Sequence, residues 1–149
     1  MITIRNTQRS IDIDKKKIKT SVQKILNFLG YTDYDIGIWI TTNRTIQRYN
    51  KQYRGKNKPT DILSFAYHTH LKPGQHIKIQ SPDDANLGDL IISAYYVNQV
   101  AEQLHIPFDQ HLIAIIVHGI CHLLGYDHAK ESDYQKMVAL EATLTTLVQ

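Results

Sequence analysis

The run His118-Gly-Ile-Cys-His122-Leu-Leu-Gly125-Tyr-Asp-His128 constrains this chain more than any other segment. On a helix of about 3.6 residues per turn, positions 118 and 122 project from nearly one face, one turn apart. Gly125 can end that helix by taking the left-handed C′ conformation. The chain can then fold back, so that His128 reaches the same point from outside the helix. Three neutral imidazoles converging on one point suit a borderline-soft divalent ion, zinc foremost. Three protein ligands leave a fourth position for water, as in catalytic rather than closed structural sites. The longest apolar run, Leu112 to Val117, leads into this segment and is expected in a buried helix.

The chain has 149 residues and fits one domain, 1–149. Its balance of 42% hydrophobic and 21% charged residues allows a sizeable core. A net charge of +3 permits nucleic-acid binding without requiring it. Cys121 is the single cysteine, so no intrachain disulfide exists, and the composition suits a reducing compartment. The start, Met1-Ile-Thr-Ile-Arg-Asn, lacks the apolar core of a secretory leader. No apolar run approaches the ~18 residues of a membrane span. The expectation is a soluble cytoplasmic protein with no membrane partner.

Residues 1–6 alternate apolar and polar as a short strand does. Asp14 is placed to cap a helix to Leu29, with Ile18, Val22, Ile25, Leu26 and Leu29 on one face and Gly30 as its stop. Asp35 to Thr41 alternates as a second strand. Thr42 or Asn43 caps a helix through Tyr53, with Ile46 and Tyr49 turned inward. Asp61 to Tyr67 and Leu87 to Ser93 read as strands. Between them, His68 to Asn86 is polar and reads as a long hairpin connection or a flexible flap. Ser93 caps a helix to about His105, and Pro107 suits the first turn of the next. A last helix spans about Glu131 to Leu147. The order β-α-β-α-β-β-α-α-α predicts an α/β (α+β) domain, a mixed sheet packed with helices.

The histidine pattern, H-x3-H-x2-G-x2-H, has the spacing of the metzincin protease motif HExxHxxGxxH. Gly119 stands where those proteases have their general-base glutamate. The metal geometry is kept and the peptidase base is missing. Two plainer readings stand beside the catalytic one: unrelated histidines, or a structural zinc site. Structural sites are usually four-coordinate and cysteine-rich. Cys121 lies about 100° around the helix from His122 and is expected in the core beside Leu124. Asp127 either accepts a hydrogen bond from a ligand histidine or stabilises the turn. His68, His70, His76, His105 and His111 show no ligand spacing and read as surface or helix residues.

A second constellation runs from Asn50 to Phe65 and gathers Lys51, Arg54, Lys56 and Lys58, with Gly55 and Pro59 bending the chain. Arg54 offers a planar fork for phosphate, and Lys56 and Lys58 act as point charges. The alternative is a solvated basic loop, or cations favoured at a helix C-terminus.

Together the two segments resemble the YbeY family of metal-dependent endoribonucleases. Leu87-Gly88-Asp89-Leu-Ile-Ile-Ser93 is similar to that family's Gly-Asp-(apolar)3-Ser strand, and Met137 with Glu141 matches its final helix. The resemblance covers about residues 35–145. It implies a zincin-like topology and one zinc per chain on His118, His122 and His128. It also implies action on single-stranded RNA, maturation of the 3′ end of small-subunit ribosomal RNA, ribosome quality control, and ribosomal partners. Arg54 matches the family's functionally important arginine. Two residues depart: Cys121 replaces a usual leucine, and Ala66 stands where proline is common. The expected consequences are local, with oxidation sensitivity at Cys121.

On this reading His118 and Arg54 are catalytic, and Arg54, Lys56 and Lys58 bind substrate, with Tyr53 or Phe65 available to stack a base. Zinc lowers the pKa of bound water toward ~7 and polarises a phosphoryl oxygen. Either water or the RNA 2′-hydroxyl serves as nucleophile. A metallopeptidase and a ribosome-associated binding module with a structural metal are the competing functions.

Overall fold

Local signals place most elements of the computed structural model, which describes residues 1–149. The elements are β1 (Ile2–Asn6), α1 (Lys15–Leu29), β2 (Asp35–Thr41), α2 (Asn43–Arg54), β3 (Ile62–Ala66), β4 (Asn86–Ser93), α3 (Ala94–Leu104), α4 (Phe108–Leu123) and α5 (Glu131–Val148). Three side-chain caps start helices. Asp14 accepts from the Lys17 N–H at 3.0 Å, Thr42 from Thr45 at 3.2 Å, and Ser93 from Tyr96 at 3.3 Å. Pro107 precedes α4 as its N-cap instead of sitting inside the first turn.

The strands form one mixed sheet in the order β1-β2-β4-β3. β2 pairs in parallel with β1 and β4, and β3 pairs antiparallel with β4. Period-two alternation sorts the side chains between the faces. Ile36, Ile38, Ile40, Leu90 and Ile92 join the main core with α1, α4 and α5. Trp39, Leu63, Phe65 and Ile91 meet Ile46 and Tyr49 of α2 on the other face. The fold is therefore α+β, as the element order predicts. No single helix is long and apolar enough to cross a membrane.

The segment between β3 and β4 is a hairpin connection, but its polar sequence conceals anchors. Ile77 is buried, and its N–H donates to the Tyr31 hydroxyl at 3.2 Å. The His76 ring stacks on Tyr31 with centroids 4.7 Å apart. The His68 ring lies 2.8 Å from the Asp84 carbonyl oxygen. These contacts hold the connection against the domain, so a freely solvated flap does not describe it.

Helix α4 carries the apolar run into the core, where Leu112, Ile116 and Ile120 are almost wholly buried. Each such side chain contributes about 1.5–3 kcal/mol of burial. The helix lies very close to the sheet at Gly119. A β-carbon there would stand 2.6 Å from Ile62 Cδ1 and 2.8 Å from Leu90 Cδ2. A glutamate at 119 would have to displace these side-chain ends and bring a charged side chain against apolar packing, which costs on the order of 1–3 kcal/mol. Gly119→Glu is expected to lower the melting temperature by on the order of 10 °C, or to abolish the cooperative transition. Circular dichroism against temperature checks this, and an unchanged melting curve would disprove the packing argument.

Candidate active site

A Schellman turn builds the histidine cluster. Helix α4 ends at Leu123, and Gly125 takes φ 90°. Its N–H donates to the His122 carbonyl, and that of Tyr126 donates to the Cys121 carbonyl, both at 3.1 Å. A β-carbon on Gly125 would meet the Leu71 carbonyl oxygen at 2.1 Å, so the β3–β4 connection crosses directly over this turn. Glycine is required twice at this position, for its backbone angle and for the close approach. The reversal brings His128 back beside the helix.

The ligand atoms of His118, His122 and His128 all lie within 4.8 Å of one another. His118 Nε2 and His122 Nε2 are 3.1 Å apart. Nitrogens about 2.0–2.1 Å from a tetrahedral zinc would be roughly 3.3 Å apart. The donor set therefore fits a divalent first-row ion. Burial, and then the neighbouring His118, push the His122 pKa below the ordinary value of 6.5, which keeps a bare lone pair at neutral pH.

Two carboxylates orient the outer rings. His118 Nδ1 lies 3.2 Å from Glu141 Oε2 on α5. An Nδ1–H donated there fixes the tautomer and leaves Nε2 free for a metal. Asp127 Oδ1 accepts the His128 backbone N–H at 2.7 Å and lies 3.2 Å from His128 Nδ1. One oxygen can thus hold both the turn and the ring. Sequence spacing singled out Asp127 because it adjoins a histidine. Glu141 lies 23 positions from His118 and had entered only as a point of family likeness.

The histidines open into a cleft of about 700 Å³ between β3 and the end of α4. Its walls include Arg54, Tyr53, Ser64 and Phe65 opposite the histidines and Asp127. Arg54 ends α2, is exposed and has no ion pair, so its guanidinium is free for a ligand. Lys56 and Lys58 are exposed and stand outside the cleft walls. The Asn50 side chain donates to the Lys58 carbonyl oxygen at 2.8 Å, which ties down the loop but aims neither ammonium inward. Asp61 also lines the cleft, where Oδ1 accepts the Ile62 N–H at 2.7 Å. It belongs to the Pro-Thr-Asp segment, and nothing in its spacing distinguished it as a cleft carboxylate.

Cys121 corrects an expectation. It is fully buried in the main core. Burial, with a smaller effect of Glu141, pushes its thiol pKa up to about 12. Neither access nor thiolate is available for oxidation. Of the remaining histidines, His105 closes α3 in the left-handed conformation, and His111 Nε2 is buried without a partner.

An α+β fold whose cleft gathers three histidines opposite a free arginine defines the class of protein. Residues 3–149 match the family described as Endoribonuclease YbeY, and the chain belongs to that family. It is 36% identical to the human Endoribonuclease YbeY over 140 residues, covering 94% of this chain and 83% of that one. It is 40% identical over 130 residues to that of Persephonella marina, covering 87% and 80%. The solution structure of TM1509 from Thermotoga maritima superposes with a TM-score of 0.65, covering 99% of this chain and 89% of that one. Its sequence identity of 21% makes that likeness one of fold.

Two outcomes test the geometry. Glu141→Gln should keep the fold and weaken metal binding roughly 10–100-fold, read by chelator competition; unaltered affinity would show that Glu141 does not support His118. Cys121 should resist alkylation at pH 8 in the folded chain and react once the chain is denatured, as read by mass spectrometry.

Proposed function

We propose that the chain is a zinc-dependent endoribonuclease that cuts single-stranded RNA in the cleft between β3 and the end of α4. Its biological task on this reading is maturation of the 3′ end of small-subunit ribosomal RNA, with ribosome quality control, in the cytoplasm and in contact with ribosomal components. Membership of the Endoribonuclease YbeY family supports the activity. The observation that carries the assignment is one cleft holding three convergent histidines and an unpaired arginine. That pairing suits a phosphodiester, an anion that gains charge on its non-bridging oxygens during cleavage.

Each residue has a defined task. His118, His122 and His128 would hold the metal. When bound, such an ion supplies Lewis acidity toward phosphate and lowers the pKa of water. Glu141 keeps the His118 proton on Nδ1, and Asp127 orients His128. Arg54 engages the non-bridging oxygens with its planar fork. Lys56 and Lys58, outside the cleft, would attract the RNA backbone at longer range. Tyr53 and Phe65 offer ring surface along the wall.

Gly119 in place of a glutamate base weighs against a peptidase, and any side chain there would have to displace Ile62 Cδ1 and Leu90 Cδ2. The open, three-ligand arrangement weighs against a purely structural metal.

Metal-loaded chain, freed of contaminating nuclease, should cut unstructured RNA. Arg54→Ala should reduce the rate about 10²–10³-fold, as for loss of one charge-stabilising donor. His118→Ala should reduce it at least as far. Cleavage by both variants at the wild-type rate would refute the assignment. Product ends identify the nucleophile: a 2′,3′-cyclic phosphate follows 2′-hydroxyl attack, and a 5′-phosphate with a 3′-hydroxyl follows water attack. Ribosomal RNA precursors with extended 3′ ends in cells carrying either variant would support the biological task, and normal precursor profiles would exclude it.

A further inference from the structure

Two carboxylates line the cleft that gathers Arg54 and the three histidines. Asp127 is engaged with His128. Asp61, just before β3, is engaged with no cation. Its place is nonetheless rigid. The Asp61 carbonyl oxygen accepts the Ser93 N–H at 2.9 Å, and the next residue, Ile62, already pairs with Ile92 of β4. The side chain is held as well: Oδ1 accepts the Ile62 N–H at 2.7 Å and the Thr60 hydroxyl at 3.3 Å. The other oxygen, Oδ2, has no partner within the protein. No ion pair joins Asp61 to Arg54, although both line one cleft of about 700 Å³. His111 feels the Asp61 charge, but burial pushes its pKa below 6.5 and leaves that ring neutral at pH 7.

A half-buried carboxylate without a cation works against phosphate binding. It repels the anion that Arg54 attracts. An ionised carboxylate only accepts hydrogen bonds, so a bound strand offsets that repulsion only by presenting a donor. Along a nucleic-acid backbone the phosphate and ester oxygens accept. The 2′-hydroxyl of RNA is the one backbone group that donates, and DNA lacks it.

We propose that Asp61 Oδ2 accepts a hydrogen bond from a ribose 2′-hydroxyl of the strand that Arg54 holds, and so selects RNA over DNA. The proposal rests on the endoribonuclease reading above. Arg54 takes the phosphate and Asp61 takes a sugar beside it. Base amines are the other donors a strand carries, and the shared cleft with the phosphate-binding arginine favours the sugar. The fixed backbone and the tethered Oδ1 hold the acceptor in place before the strand arrives, which is what discrimination by one hydrogen bond requires.

The test titrates the full chain, in chelator, with labelled strands of one sequence made as RNA, as DNA and as 2′-fluoro RNA. The 2′-fluoro sugar keeps an RNA-like pucker but has no O–H, so it separates the hydrogen bond from backbone shape. RNA should bind roughly ten-fold more tightly than either of the others, as for one hydrogen bond to a charged group. Asp61→Asn retains an Oδ1 acceptor for the Ile62 N–H and should fold, which circular dichroism checks. The variant should bind DNA and 2′-fluoro strands more tightly than wild type does, because a repelling charge is gone, while the preference for RNA falls several-fold. A residue that only supported the fold would weaken all three strands together, and that result overturns the proposal. Equal binding of RNA and 2′-fluoro strands by the wild type overturns it without any variant. Asp61→Asn that slows cleavage by the metal-loaded chain yet keeps the wild-type binding ratio also overturns it, and would assign the carboxylate to proton transfer. Weakened metal affinity in chelator competition would assign it to the ion instead. A chain that cuts RNA and gives any of these results loses only this proposal. A chain that neither binds nor cuts RNA loses the nuclease reading, and the proposal with it.

Discussion

The close contact between α4 and the sheet at Gly119 sets the position of the histidine cluster in this molecule. A helix that approaches so near has one face sealed by Ile62 and Leu90. The neighbouring positions 118 and 122 then have a defined outlet, toward the cleft beside β3. The same contact separates this chain from proteases with similar histidine spacing. Their base occupies a position that is filled here by the side chains of the sheet. One missing side chain thus closes the helix onto its support and removes a competing chemistry.

The sheet divides the labour further. Its inner face carries the large aliphatic core, and its outer face is half roofed by α2. Helix α2 ends where β3 begins its approach, and that junction delivers Arg54 and Tyr53 to the cleft wall. The long β3–β4 connection serves the site indirectly. It crosses the turn at Gly125 and is pinned by Ile77 and His76 on Tyr31. The geometry around His128 therefore depends on packing from a segment that contributes no ligand.

Much of this was legible in the sequence because the signals are local. Caps at Asp14, Thr42 and Ser93, alternation in β2, and the histidine–glycine spacing all act within a few residues. The convergence of His118, His122 and His128 could be read for the same reason. Partners separated along the chain could not. Glu141 meets His118 only because α5 packs on α4, and Asp61 enters the cleft only through sheet order. Lys56 and Lys58 carry the right charge, but a loop residue's direction is decided by tertiary ties such as that of Asn50. Cys121 was placed correctly in the core, yet its predicted reactivity ignored how completely that core would enclose it.

The three imidazoles come from one continuous stretch, 118 to 128, joined by a turn whose hydrogen bonds stay within that stretch. The donor set that could hold an ion is thus supplied by one local stretch of the chain, although its final geometry leans on the β3–β4 connection and on Glu141. The orienting carboxylate on α5 and the arginine at the end of α2 are contributed from elsewhere, through the assembled sheet and helices. A chain that had formed the helix and turn but not closed around them could carry metal and still lack its phosphate partner. On the nuclease reading, the site is complete only when α2 and α5 have packed against the helix and turn that carry the histidines.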